Sequence, residues 1–367
     1  MRYPEFFHPF AQAPHLGGAL YATREEEVAA QARAWRETHK LKRAEQDEHR
    51  VLVLPIDVQV GFCMDPETVA ANLPWTPKGG ALYVPGSAQD TTRACRFILD
   101  NLARITTIAP SLDTHQVFQI FHADFWAHSE SGAPPPPFTV MASATEASEV
   151  VGHHPDGSSA SYRALRSPEL AAAYPAALEE VGAAPLTIWP YHCRLGSTHH
   201  ALMPILSEVQ LFHSIARDTP ARFDMKGQRP LTESYGVVGD EVAQLQGVPV
   251  GEKARPGYIE ALLEYEQIVV FGQALSHCVK ATVDQIAAAF SAIDTDLLGR
   301  LTVLSDCCSP VSPIPGFEGD PESPLNFPAV GEKALARWAQ MGIHVQPSTA
   351  PLRIPADKPF GKPAGAQ

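Results

Sequence analysis

Between residues 51 and 346, short β-branched runs alternate with helix-favouring stretches, and this alternation constrains the fold more than any other feature of the chain. Strand-like VLVLPID (51–57) leads to helical AQDTTRACRFILDNLARI (88–105) and strand-like TTIAPSLD (106–113). VQLFHS (209–214) reads as a third strand, then come helical GYIEALLEYE (257–266), strand-like QIVVFG (267–272) and a helix over 276–291. LTVLSDC (301–307), helical VGEKALARWAQMG (330–342) and IHVQ (343–346) close the series. Strands separated by helices are joined by crossovers, so they build a mostly parallel sheet with helices on both faces. The expected fold is α/β: a single domain of Rossmann-type, three-layer form around a six-stranded sheet. Ligands of such sheets bind beyond the carboxyl ends of the strands.

Three segments depart from the rhythm. Residues 1–50 form an N-terminal extension whose stretch ATREEEVAAQARAWRETHKLKRAEQDEHR (22–50) has acids early and bases later, suiting the helix dipole, and a helix outside the core is expected there. The segment 127–187, with GAPPPPF, GHHPDGSS and helical SPELAAAYPAALEEVG, reads as an insertion into a domain spanning 51–347, serving as a lid or a subunit contact. The tail, 348–367, is rich in Pro, Gly and Ala and is expected to be mobile.

Charge and composition exclude several classes of function. A formal net charge of −13, with no Lys/Arg-rich run, disfavours nucleic acid and anionic membrane as partners and leaves small molecules. No apolar run approaches the ~18 residues of a membrane span, and the opening MRYPEFFHPFAQAPHLGG has no charged-then-apolar leader pattern, so a cytoplasmic location is expected. The six cysteines make no paired CxxC spacing and are too sparse for a disulfide framework, so each is core filler or chemistry.

The strand ends gather a short set of reactive residues. Asp57 follows the first strand, Asp113 the second, Lys226 comes shortly after the third, and Cys278 follows IVVFGQALSH at the expected start of a helix. An Asp after a strand is commonly a turn residue, and a free cysteine commonly packs as a small hydrophobe. Together the residues make chemical sense: a helix start favours thiolate, a carboxylate can take the thiol proton and later protonate a leaving amine, and an ammonium lowers the thiol pKa. A second group is Asp113, His115, His122 and His192. Asp113 and His115 alternate on extended backbone and share a face, and mixed N/O donors suit zinc, iron or manganese rather than calcium. With 15 histidines in the chain, loop histidines are also simply common.

Six blocks, in order, resemble the isochorismatase-like cysteine hydrolases, and within them the nicotinamidase/pyrazinamidase group. DVQVGFC is similar to the family's first block, with Asp57 at the catalytic acid and Phe62 at the aromatic that stacks on substrate. GGALYVPGS (79–87) is similar to the Gly-rich turn that follows it. DTHQVFQIFHADFW resembles the metal block, which implies Asp113, His115 and His122 as ligands, and WPYHCRLGS the block that supplies a stacking Trp189 and the ligand His192. KGQRPLTESYG resembles the block of the catalytic Lys226, and GQALSHCV the nucleophile loop of Cys278. The resemblance further implies a non-proline cis peptide from Gln273 to Ala274, aiming the N–H groups of Ala274 and Cys278 at one oxyanion.

The chain departs from the family at Leu275 and Ser276 of the nucleophile loop, at Pro55 in the first strand and in the length of the insertion. What the resemblance implies is hydrolysis of a small heteroaromatic carboxamide, nicotinamide to nicotinate and ammonia first, with a divalent metal, zinc before iron or manganese, positioning the ring. It also implies a homo-oligomer. Two other readings stay open from sequence: a metal-activated water with Cys278 structural, and a binding protein that has kept the pocket without turnover. Within the enzyme reading, an N-carbamoyl compound or another carboxamide is the alternative substrate.

Overall fold

The computed structural model describes residues 3–7, 24–65, 81–143 and 148–353. The tail from 354, residues 8–23 of the extension, and Gly79 and Gly80 of the Gly-rich turn lie outside the described residues. Among the described residues no helix is long and apolar enough to cross a membrane.

The first strand, β1 (Val51–Ile56), is buried over its whole length because parallel sheets carry helices on both faces. Helix α2 (Ser87–Asp100) returns the chain to β2 (Thr107–Ile108), after α1 (Glu25–His39) has preceded the sheet. Strands β11 (Gln267–Gly272), β12 (Leu301–Leu304) and β13 (His344–Gln346) complete a five-stranded sheet of order β13-β12-β11-β1-β2, parallel throughout. Pro55 is tolerated inside β1 for a geometric reason. Val51 and Val53 turn their backbone groups toward Thr106 and Ala109, so alternation points the position of Pro55 to the same side, beyond the last β2 partner at Ile108.

The sheet has five strands where six are expected: TTIAPSLD gives it only Thr107–Ile108, and VQLFHS gives it none. TTIAPSLD breaks at Pro110, which has no N–H to give, and the chain resumes as β3 (Ser111–Asp113), paired in parallel with β8 (Asp224–Lys226) in a separate two-stranded ladder. VQLFHS is not a strand either. It lies inside the helix Pro204–Arg217, where Ile205, Leu206, Val209, Phe212, His213 and Ala216 are buried at helical spacing. A six-residue apolar run reads as either element, and the longer 3.6 period wins.

Helix α1 carries Glu25, Glu26 and Glu27 in its first turn and Arg36 and His39 in its last, as the dipole favours. It is not outside the core, however: Val28 and Ala32 join Phe6 and Phe7 in the apolar core, and Arg24 pairs with the buried Glu208 at 2.8 Å.

The segment 127–187 has its own architecture. Strands β4 (Trp126–His128), β5 (Val140–Ser143), β6 (Glu149–His153) and β7 (Ser159–Ala164) form an antiparallel sheet of order β4-β7-β6-β5. The expected helix forms over Pro168–Glu180, burying Ala171, Tyr174 and Leu178. A small hairpin, β9 (Gln244–Leu245) with β10 (Val248–Pro249), lies between β8 and the next parallel strand.

Candidate active site

The carboxyl edge of the strands gathers the residues that the sequence singled out. The β3–β8 register pairs Asp113 with Lys226, so one ladder presents both. Asp57 directly follows β1 and adopts φ 47°, a left-handed conformation that Asp accepts more readily than most residues. Ser111 holds it, receiving the Asp57 N–H at 3.0 Å and donating its hydroxyl to Oδ1 at 2.6 Å. Cys278 lies in a wide turn, Leu275–Val279, that opens the helix Lys280–Ile293; such turns recur at functional sites. The Gln273–Ala274 peptide is cis, as expected.

Lys226 is the centre of the cluster. Its ammonium, fully buried, lies 2.9 Å from Asp57 Oδ2 and 3.1 Å from Asp113 Oδ1, and donates to the Ser234 carbonyl at 3.0 Å and toward Cys278 Sγ at 3.5 Å. Burial disfavours the ammonium, but Asp113 and Asp57 outweigh it and hold Lys226 well above the ordinary range. Burial pushes Asp57 up, against the pull of Lys226. For Asp113 burial acts upward too, but His115 and Lys226 overcome it and hold the carboxyl well below its usual range.

The thiol departs from the sequence-based expectation. Burial pushes Cys278 well above the ordinary thiol range; Lys226 pulls it back, and Asp57 and Asp113 push it up again. The helix start therefore does not make a resting thiolate. Asp57 Oδ2 is buried beside the thiol and, apart from its ion pair with Lys226, accepts no well-formed hydrogen bond among the described residues.

Asp113, His115 and His192 bring one donor atom each within 4.8 Å of one another, all buried. His115 Nδ1 lies 3.0 Å from the Gly227 carbonyl and His192 Nδ1 2.7 Å from the Pro190 carbonyl. Carbonyls only accept, so each Nδ1 carries a hydrogen, the second-shell arrangement of metal-binding histidines, and the Nε2 atoms of His115 and His192 face Asp113 Oδ2 at 2.8 and 3.5 Å, where a bound cation would take the place of a shared proton. His122 is built alike, with Nδ1 on the Val117 carbonyl at 3.2 Å and a buried Nε2 that has no hydrogen-bond partner among the described residues. It falls outside the three-residue group, its ring 5.6 Å from that of His115 and 6.1 Å from that of His192. Burial lowers His122 to about 3 and also lowers His192, against the pull of Asp113, which favours the neutral form that metal ligands take. The donor set and the unpartnered His122 nitrogen fit a divalent metal.

Phe62 and Trp189 both line the pocket onto which these groups open, about 450 Å³ of space between atoms, together with Cys278, Ala274 and the metal trio. Several supporting residues escaped the reading of the sequence. Ser111 alternates with Asp113 on β3, a period-two signal that could have found it. Gln59 brackets Asp113, accepting its N–H at 2.8 Å and donating to its carbonyl at 3.0 Å. Gly227, next to Lys226, has φ 79°, and a Cβ there would stand 2.7 Å from Asp113 Oδ1 and 2.8 Å from His115 Cε1. Glu233 and Tyr235, inside KGQRPLTESYG, and His277, inside GQALSHCV, also line the pocket, and the sequence attached no role to them.

No protein-family model matches the chain, and no curated protein does. Among solved structures it is similar to a nicotinamidase/pyrazinamidase of Acinetobacter baumanii, at 16% identity over 83% of this chain and 98% of that one, with a TM-score of 0.44. A yeast nicotinamidase bound to the inhibitor nicotinaldehyde matches at 18% identity over 81% and 99%, with a TM-score of 0.46. A Pyrococcus horikoshii pyrazinamidase in complex with zinc matches at 15% identity over 81% and 98%, with a TM-score of 0.40. What the site does must therefore be argued from its own residues.

Proposed function

We propose that the protein is a cysteine amidohydrolase of the isochorismatase-like type, cleaving a small heteroaromatic carboxamide, with nicotinamide to nicotinate and ammonia as the first reaction to test. The observation that carries this reading is the buried cluster in which one ammonium touches Asp57, Asp113 and Cys278 at the wall of the pocket. In this reading 51–347 is the catalytic unit and 127–187 an insertion in it.

The chemistry follows from the proton affinities. Asp57 takes the Sγ proton as Cys278 attacks the carboxamide carbon, and Lys226 stabilises the resulting negative charge. The N–H groups of Ala274 and Cys278 receive the oxyanion, each such donor contributing roughly 3 kcal/mol of transition-state stabilisation. The C–N bond breaks as Asp57 returns its proton to the leaving nitrogen, which departs as ammonia. Water then adds to the thioester carbon, Asp57 takes its proton and passes it to Sγ, and the acid leaves. Asp113, His115 and His192, with His122 beside them, would hold a divalent metal, zinc being the first candidate, whose Lewis acidity supplies a grip on a ring nitrogen. Phe62 and Trp189 would flank the ring.

The test is ammonia release from nicotinamide by the purified protein, beside Cys278→Ala and a chelator-treated aliquot. Release that requires both thiol and metal is expected. Release that survives Cys278→Ala, or alkylation by iodoacetamide, would move the chemistry away from the thiol.

A further inference from the structure

The pocket has a third polar corner that the reaction above leaves idle. Beside the nucleophile and the metal trio, its wall includes Glu233, only 2% exposed. Glu233 Oε1 accepts the Tyr235 hydroxyl, and the Tyr174 hydroxyl stands 3.4 Å from Oε2 while receiving the Glu233 N–H at 2.7 Å. Tyr235 in turn accepts the Trp189 indole N–H at 3.1 Å. The corner is thus rigid, and it is built in part by the insertion, since Tyr174 lies on the helix Pro168–Glu180. Charged or neutral, a carboxyl group has acceptor positions beyond the two that these hydroxyls occupy. Nicotinamide presents a carboxamide and a ring nitrogen, which the nucleophile loop and the metal trio already serve. A buried carboxyl in a pocket wall is costly unless something pairs with it.

Resting on the amidohydrolase reading, we propose that Glu233 is a specificity-determining residue, and that the preferred substrate is a heteroaromatic carboxamide whose ring carries a hydrogen-bond donor, a hydroxyl or amino group, received by the Glu233 carboxyl. Burial pushes this carboxyl up to about 8, against the pull of the Tyr235 hydroxyl and with Glu241 adding to the rise. Tyr235 and Tyr174 occupy one position on each oxygen and leave acceptor capacity that a donor on the ring would take up. A site built to hydrogen-bond a substituent discriminates more sharply against its absence than an apolar pocket does.

The experiment is ammonia release from nicotinamides that carry a hydroxyl, an amino or a methyl group at each ring position, using the metal-loaded wild type, Glu233→Met and Glu233→Gln. The methyl ring controls for size. For at least one position the wild type should favour the donor-bearing ring over the methyl ring by roughly tenfold or more in kcat/KM. Glu233→Met should bring that ratio close to one, and Glu233→Gln, whose carbonyl still accepts, should restore part of it. If Glu233 only braces Tyr235 and Trp189, Glu233→Met slows both rings alike with the ratio intact, which overturns the proposal. A wild-type ratio near one at every position also overturns it, whether or not the variants fold, and leaves the amidohydrolase reading standing. No turnover of any carboxamide by the wild type overturns both.

Discussion

Replacing Lys226 by Met keeps the length of the side chain and removes its charge, and the consequences can be worked from the structure. The ammonium lies 2.9 Å from Asp57 and 3.1 Å from Asp113, all three groups being buried. At an effective dielectric constant of about 20, unit charges 3 Å apart attract by roughly 5–6 kcal/mol. Part of this is offset by the desolvation of the ammonium, so breaking the cluster should cost about 3–5 kcal/mol. For a chain of 367 residues that is a fall in Tm of roughly 4–6 °C. The loss should depend on pH. Asp57 already has a raised pKa, and without Lys226 it rises further, so the unfolded chain gives up its proton first and stability falls as pH climbs above the ordinary aspartate range. The deficit relative to wild type should therefore be larger at pH 8 than at pH 5, read from urea midpoints at fixed metal concentration. Turnover should fall by about 10³-fold, as expected when a charge that supports proton transfer is removed. A loss below about 1 kcal/mol, or one equal at both pH values, would refute the argument that Lys226 neutralises two buried carboxylates.

Ser111→Ala frees Asp57 Oδ1 and leaves the Asp57 N–H without its acceptor. It should lower kcat by about 10- to 100-fold with KM little changed, and cost about 1–3 kcal/mol in urea unfolding. Gly227→Ala places a Cβ against Asp113 and His115 in a left-handed conformation. It should cost about 1–3 kcal/mol and weaken zinc binding in a competitive chelation assay; unchanged zinc affinity would contradict the placement. Glu233, held at about 8 in the folded protein, makes the fold lose stability as pH rises from about 4.5 to about 8, because the unfolded chain ionises first. Wild type should lose more Tm between pH 5 and pH 8 than Glu233→Gln, and parallel curves would sink that assignment.

The sequence was most legible where structure is local. The runs at 51–56, 267–272 and 301–304 are strands, and the segments at 87–100, 280–293 and 327–341 are helices, close to where periodicity placed them. It misled where a short apolar run fits two periods, at 209–214, and where Pro110 divides one apparent strand between two ladders. The acids and bases of α1 are a local dipole signal, but only packing buries Val28 and Ala32, so the extension's place in the core could not be seen in its charge pattern.

The same division runs through the site. The identities Asp57, Asp113, His115, His192, Lys226 and Cys278, and their position after strands, are properties of the chain. That they converge on one ammonium is decided by the register that sets Asp113 opposite Lys226 and by the β1–β11 pairing that brings Asp57 and the Cys278 turn to one edge. Their proton affinities belong wholly to the tertiary structure. A helix start by itself favours thiolate, yet burial reverses that at Cys278, because removal from water outweighs a partial charge once the surrounding carboxylates are counted. Glu233 shows the limit most clearly: in sequence it is one acid inside KGQRPLTESYG with no role attached, and only the packing of Tyr174, Tyr235 and Trp189 around it makes it the wall of a pocket.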